Sequence, residues 1–194
     1  MSKLSKDDLF TLESYAEKRK EFRNNVLQHK KNRAVQIGPN ATLYFEDRLT
    51  MQYQIQEMLR IEKIFEAEGI QEELDAYNPL IPDGSNWKAT FMMEYTEVPE
   101  RQKALAQLVG IEDKTWMQVE GFDKVFAISD EDLERTEQDK TSAVHFMRFE
   151  LTADMCQAVK SGVPINAGID HENYQHSFAP LAENIRASLA QDID

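Results

Sequence analysis

Residues 142–151, "SAVHFMRFEL", set the reading of the fold. Side chains alternate faces along a strand. Ala143, His145, Met147, Phe149 and Leu151 therefore share one face, and Val144, Phe146, Arg148 and Glu150 share the other. The first face is apolar except for the imidazole. This is the clearest strand in the chain, and its phase puts His145 on the apolar side.

Working outward, Thr152 caps a short helix, "ADMCQAVKSG" (153–162), and "VPINAGI" (163–169) is a last strand. "SFAPLAENIRASLAQ" (177–191) is a final amphipathic helix. Upstream, "DEDLERTEQDK" (130–140) reads as a polar helix or an exposed loop. "KVFAISD" (124–130) and "TWMQVEG" (115–121) are two short strands around a turn at Gly121–Asp123. "VPERQKALAQLVG" (98–110) is a helix with Pro99 near its first turn. "WKATFMMEYT" (87–96) is a strand, and "NPLIPDGSN" (78–86) is a loop.

"QEELDAY" (71–77) adds a short helix. A helix runs from Leu49 to Glu68 with Gly69 as its stop. "AVQIGPNATLYFED" (34–47) is a hairpin turning at Gly38-Pro39-Asn40. Ser5 opens a helical stretch to Lys31. The class is α+β: a mixed, mostly antiparallel sheet covered by helices. One domain spans 1–194, with residues 1–32 as a helical arm and 177–194 as the C-terminal helix.

At 194 residues and 41% apolar, the chain is large enough to bury a sizeable core. Acids outnumber bases 35 to 22, a net charge of -13 that repels phosphates and anionic lipid heads. Nucleic acid and membrane roles are set aside on that ground. The segment "RKEFRNNVLQHKKNR" (19–33) is locally basic. It suits either a solvated helix face or docking on an acidic surface, the chain's own or a partner's. A single cysteine, Cys156, excludes an internal disulfide. No membrane span or signal-peptide core is visible, so a cytoplasmic location is expected.

In "MQYQIQEMLRIEKIF" (51–65), Met51, Ile55, Met58 and Phe65 step along one helix face, and Glu62 completes the series. Asp47 shares the strand phase of Leu43 and Phe45. His171 continues the phase of Ile165, Ala167 and Ile169. Asp47, Glu62, His145 and His171 thus break their patterns inward, and two imidazoles with two carboxylates form a familiar metal ligand set. The expectation is an iron, manganese or zinc site. The plainer alternative is that each is satisfied locally, with Asp47 capping the helix that follows and the histidines bonded to main-chain carbonyls or carboxylates.

Other features are weaker. His171 and His176 in "DHENYQH" match no zinc spacing. Glu62 and Glu66 lack the Glu-x-x-His of a di-iron bundle. No nucleophile elbow or phosphate loop is present, and Cys156 reads as an inert thiol. Tyr44, Tyr53, Tyr77 and Tyr95 are candidates to line a pocket with the 78–87 loop.

Three blocks carry a resemblance: residues 43–95, from "LYFEDRLTMQYQ" to "WKATFMMEY", "KTSAVHFMRFELT" (140–152) and "INAGIDHENY" (165–174). They resemble a bacterial family catalogued as domain of unknown function 3501, over roughly residues 3–174. The resemblance implies no established activity or site residue. It does imply a setting beside rubrerythrin-like and iron–sulfur or flavin oxidoreductases, hence an accessory redox or metal-handling role. The rival reading is a non-enzymatic binding or assembly protein, acting on a protein partner or as a homodimer.

Overall fold

The computed structural model describes residues 2–133, 135–137 and 139–194. In chain order the elements are α1 (Leu12–Lys30), β1 (Ala34–Ile37), β2 (Ala41–Glu46), α2 (Arg48–Glu62), α3 (Ala67–Tyr77), β3 (Asn86–Met93), α4 (Val98–Gln107), β4 (Thr115–Val119), β5 (Val125–Phe126), β6 (Ile128–Ser129), β7 (Val144–Glu150), α5 (Ala153–Lys160), β8 (Ile165–His171), β9 (Tyr174–Phe178) and α6 (Glu183–Ala190). Short 3-10 turns lie at Lys6–Asp8, Asn78–Leu80 and Glu112–Lys114.

The strands form two sheets, ordered β1-β2-β3-β7-β6 and β5-β4-β8-β9. Every ladder between named strands is antiparallel. A parallel contact occurs as an isolated bridge between Gly84 and Ile193. The fold is α+β, and the expected single sheet is two. They share one core, in which Phe45, Phe91 and Phe149 of the first sheet join Met117, Ile165 and Ile169 of the second. "KVFAISD", expected as one strand, is divided between the sheets: β5 pairs with β4 and β6 with β7. Ala127 sits at the division and donates its N–H to the Thr115 carbonyl.

A second buried cluster, with Leu4, Met51, Ile55, Leu59, Leu74 and Ile81, lies under the helices. Asp47 caps α2, accepting from the Thr50 N–H at 2.9 Å. The helix ends at Glu62, and Lys63 takes the left-handed cap with φ 57°. Gly69, expected as that stop, instead lies inside α3, where Ile64 packs on it. Arg19 grips Glu57 on α2 with two bonds of 2.8 Å, and the Tyr15 hydroxyl joins at 2.7 Å. The basic segment 19–33 thus reaches the chain's own acids.

"DHENYQH" runs through a tight turn into β9, which takes Ser177 and Phe178 from the expected start of the final helix, and α6 begins only at Glu183. The Tyr174 hydroxyl donates to the Ile37 carbonyl and accepts from the Asn40 and Ala41 N–H groups, tying β9 to the β1–β2 turn. Gly38, at φ 70°, makes that approach possible, because a Cβ there would stand 2.6 Å from the His176 ring. Among the described residues no helix is long and apolar enough to cross a membrane.

Candidate functional site

The four residues singled out as metal ligands fall in separate surroundings. Glu62 is exposed at the last turn of α2, because the buried stripe runs through Met51, Ile55 and Leu59 and the helix ends before the 58–62–65 line can be covered. Phe65, expected on that buried face, is 72% exposed. Asp47 receives His29 Nε2 at 2.5 Å and Arg33 Nε at 3.3 Å as well as its cap bond. Burial alone would raise its carboxyl; Arg33, the Thr50 N–H and His29 outweigh this and hold it below the ordinary carboxylate range.

Both histidines are buried, in the phase read from the sequence. His171 Nε2 donates to the Val109 carbonyl at 3.1 Å, and its Nδ1 accepts from the Asn173 N–H at 3.2 Å. His145 Nδ1 lies 2.6 Å from Asp130 Oδ2, and its Nε2 is 2.9 Å from Thr141 Oγ1 and 3.1 Å from the Ser142 carbonyl. Every ring nitrogen is engaged, so neither imidazole can take a metal without giving up a buried hydrogen bond. Among the described residues no three His, Cys, Asp or Glu side chains gather as a metal centre requires.

The His145 cluster instead fixes a loop. Asp130 is left-handed, with φ 53°, a conformation that aspartate tolerates better than most residues. Its Oδ1 accepts from the Phe146 N–H and from Arg135. Glu112, itself buried, receives the Thr136 and Thr141 hydroxyls. Arg135 lies over the Phe146 ring at 4.6 Å, and Glu131 closes a two-bond pair with Arg148 at 2.9 and 2.8 Å. The described part of 130–141 is loop, held across the outer face of β7. Glu134 and Gln138 of that stretch lie outside the described residues.

That loop forms one wall of a groove of about 650 Å³ on the outer face of the first sheet. Tyr77, Pro79 and Leu80 supply the opposite, largely apolar wall. Lys88 and Arg148 stand directly opposite each other on β3 and β7 and form the floor with Phe146. Two like charges in that position repel unless an anion lies near. Arg148 has Glu131 and Glu150, whereas the Lys88 ammonium donates to the Pro79 carbonyl. Burial lowers the pKa of Lys88, and Asp83 only partly offsets this. Lys88 was absent from the sequence reading. The available signal was its place beside Arg148 on the face opposite the core, which registers only once β3 and β7 are known to pair. Of the expected pocket-lining tyrosines, Tyr77 lines this groove.

Comparison with curated proteins gave no match. A crystal structure titled as a novel protein of unknown function from Burkholderia pseudomallei K96243 is similar over 100% of both chains, at 52% identity and a TM-score of 0.94. The family described as "protein of unknown function (DUF3501)" matches residues 3–193, and so extends past the likeness seen to Tyr174 and takes in the final helix. This chain belongs to that family.

Proposed function

We propose that the chain is a binding protein whose groove takes a small organic anion with an apolar body, such as a medium-chain or aryl carboxylate. One observation carries this reading. A largely apolar groove has two opposed cations on its floor, Lys88 and Arg148, and Glu131 is the loop carboxylate laid across one of them. An incoming carboxylate would take the Glu131 position on the guanidinium, a geometry suited to two-bond recognition, and would bring Lys88 a counter-charge. Tyr77, Leu80 and Phe146 would cover the apolar part. Binding sites of this kind are concave and mostly apolar, with a few convergent polar groups. The accessory redox or metal-handling role expected from the resemblance draws no support from this geometry.

Calorimetric titration with decanoate and with benzoate tests the reading, with inorganic phosphate as a control for bare charge attraction. Lys88→Met should weaken binding about tenfold or more, and Glu131→Gln should strengthen it by loosening the hold on Arg148 Nε and Nη2, while Glu150 keeps Nη1. Absence of saturable binding by either carboxylate would overturn the proposal. So would affinities indifferent to both substitutions.

A further inference from the structure

We infer that β9 is a docking edge for a second copy of this chain, joined strand to strand about a two-fold axis at His176. β9 is the last strand of its sheet, and residues 175–180 are exposed. A two-residue turn makes His171 and Tyr174 the closing pair. In such a hairpin the hydrogen-bonded pairs alternate. They are therefore 171 with 174, 169 with 176 and 167 with 178. The N–H and C=O of Gln175 and Ser177, in the intervening pairs, point away from β8 toward the open edge.

The occupant follows from symmetry and charge. Two antiparallel copies placed with His176 opposite His176 set Gln175 of each opposite Ser177 of the other. Each such pair exchanges both of its main-chain bonds, four bonds in all. Tyr174 then faces Phe178 across the join, and Phe178 is 44% exposed in the single chain. Natural edge strands are guarded by lysine, other charges, proline or a bulge. From Asn173 to Ala182 there is no Asp, Glu, Lys or Arg, and the first proline, Pro180, comes after the strand ends. A chain with a net charge of -13 repels its own copies, so an uncharged and unguarded edge is where two copies can meet.

Sedimentation of the full chain at about 1–100 µM tests this, the range in which a modest interface is read. Wild type should shift from monomer to dimer with concentration. Ser177→Pro removes an outward N–H, and His176→Lys sets two ammonium groups face to face on the axis. Each should weaken the dimer at least tenfold. Should Ser177→Pro disturb folding, as read by circular dichroism, His176→Lys decides, since residue 176 is exposed, with one ring face resting on Tyr174 and Gly38, and the change keeps every main-chain donor. A wild type that stays monomeric to the top of the range would overturn the inference, as would a dimer that His176→Lys leaves intact.

Discussion

His145 has no solvent exposure, yet it is among the most heavily bonded side chains in the protein. Replacing it with phenylalanine keeps a planar ring, a somewhat larger one, but strips Asp130 and Thr141 of a partner inside the protein. Losing one member of a buried polar pair costs about 2–4 kcal/mol, so His145→Phe should lower the urea midpoint accordingly. Faster amide exchange should appear at Asp130, bonded to the Phe146 carbonyl, and at Thr141, bonded to the Leu105 carbonyl. Unchanged exchange at both would mean that the histidine does not hold the loop. The burial of His145 and His171 was legible because strand phase is a local property. Their partners were not: Glu112, Asp130 and Val109 lie between 15 and 62 residues away along the chain. Glu62 misled because a helix stripe says nothing about where the helix stops, and Lys63 stops it.

At the level of elements, β4 and β8 meet at a tight contact. Trp116 lies over Gly168, and a Cβ at that glycine would come within 2.3 Å of the indole. Gly168→Ala should therefore push the ring outward and cost about 1–3 kcal/mol, as overpacking usually does. The measurement is tryptophan emission. With only Trp87 and Trp116 in the chain, a red shift reports on Trp116, and an unshifted spectrum with full stability would refute the contact. Strands with strict alternation, such as β3 and β7, were readable from their residues alone. The division at Ala127 was not, because "KVFAISD" is too short to show which sheet claims each half. β9 was missed because four of its five residues are exposed, so it has no apolar face to read.

Across the whole molecule, Arg33 joins three distant parts of the chain. Its guanidinium donates to the Phe45 and Glu46 carbonyls, to Ser188 and, at 2.5 Å, to Asp192. Burial raises the Asp192 carboxyl from 3.8 to about 6 against the pull of Arg33. A carboxyl with a raised folded pKa favours the folded state only while protonated. Its contribution is therefore full below about pH 4 and is lost as pH rises through 6. Asp47, held low, acts in the opposite sense and loses its contribution only as pH falls through its depressed pKa. Asp192→Asn should thus flatten the decline between pH 4 and 6.5, a change on the order of 3 kcal/mol across that window. Urea midpoints at four pH values measure it; parallel profiles for variant and wild type would rule the effect out.

The reach of Arg33 also bears on how the protein is made. Its bonds to Ser188 and Asp192 span 155 and 159 residues, and Trp87 waits for the Leu189 carbonyl 102 residues downstream. Synthesis must pass residue 192 before Arg33 can complete its set of bonds, and residue 189 before the Trp87 N–H meets its acceptor. Closure over such separations meets its entropic cost before any reward, so these contacts should be among the last to form in folding.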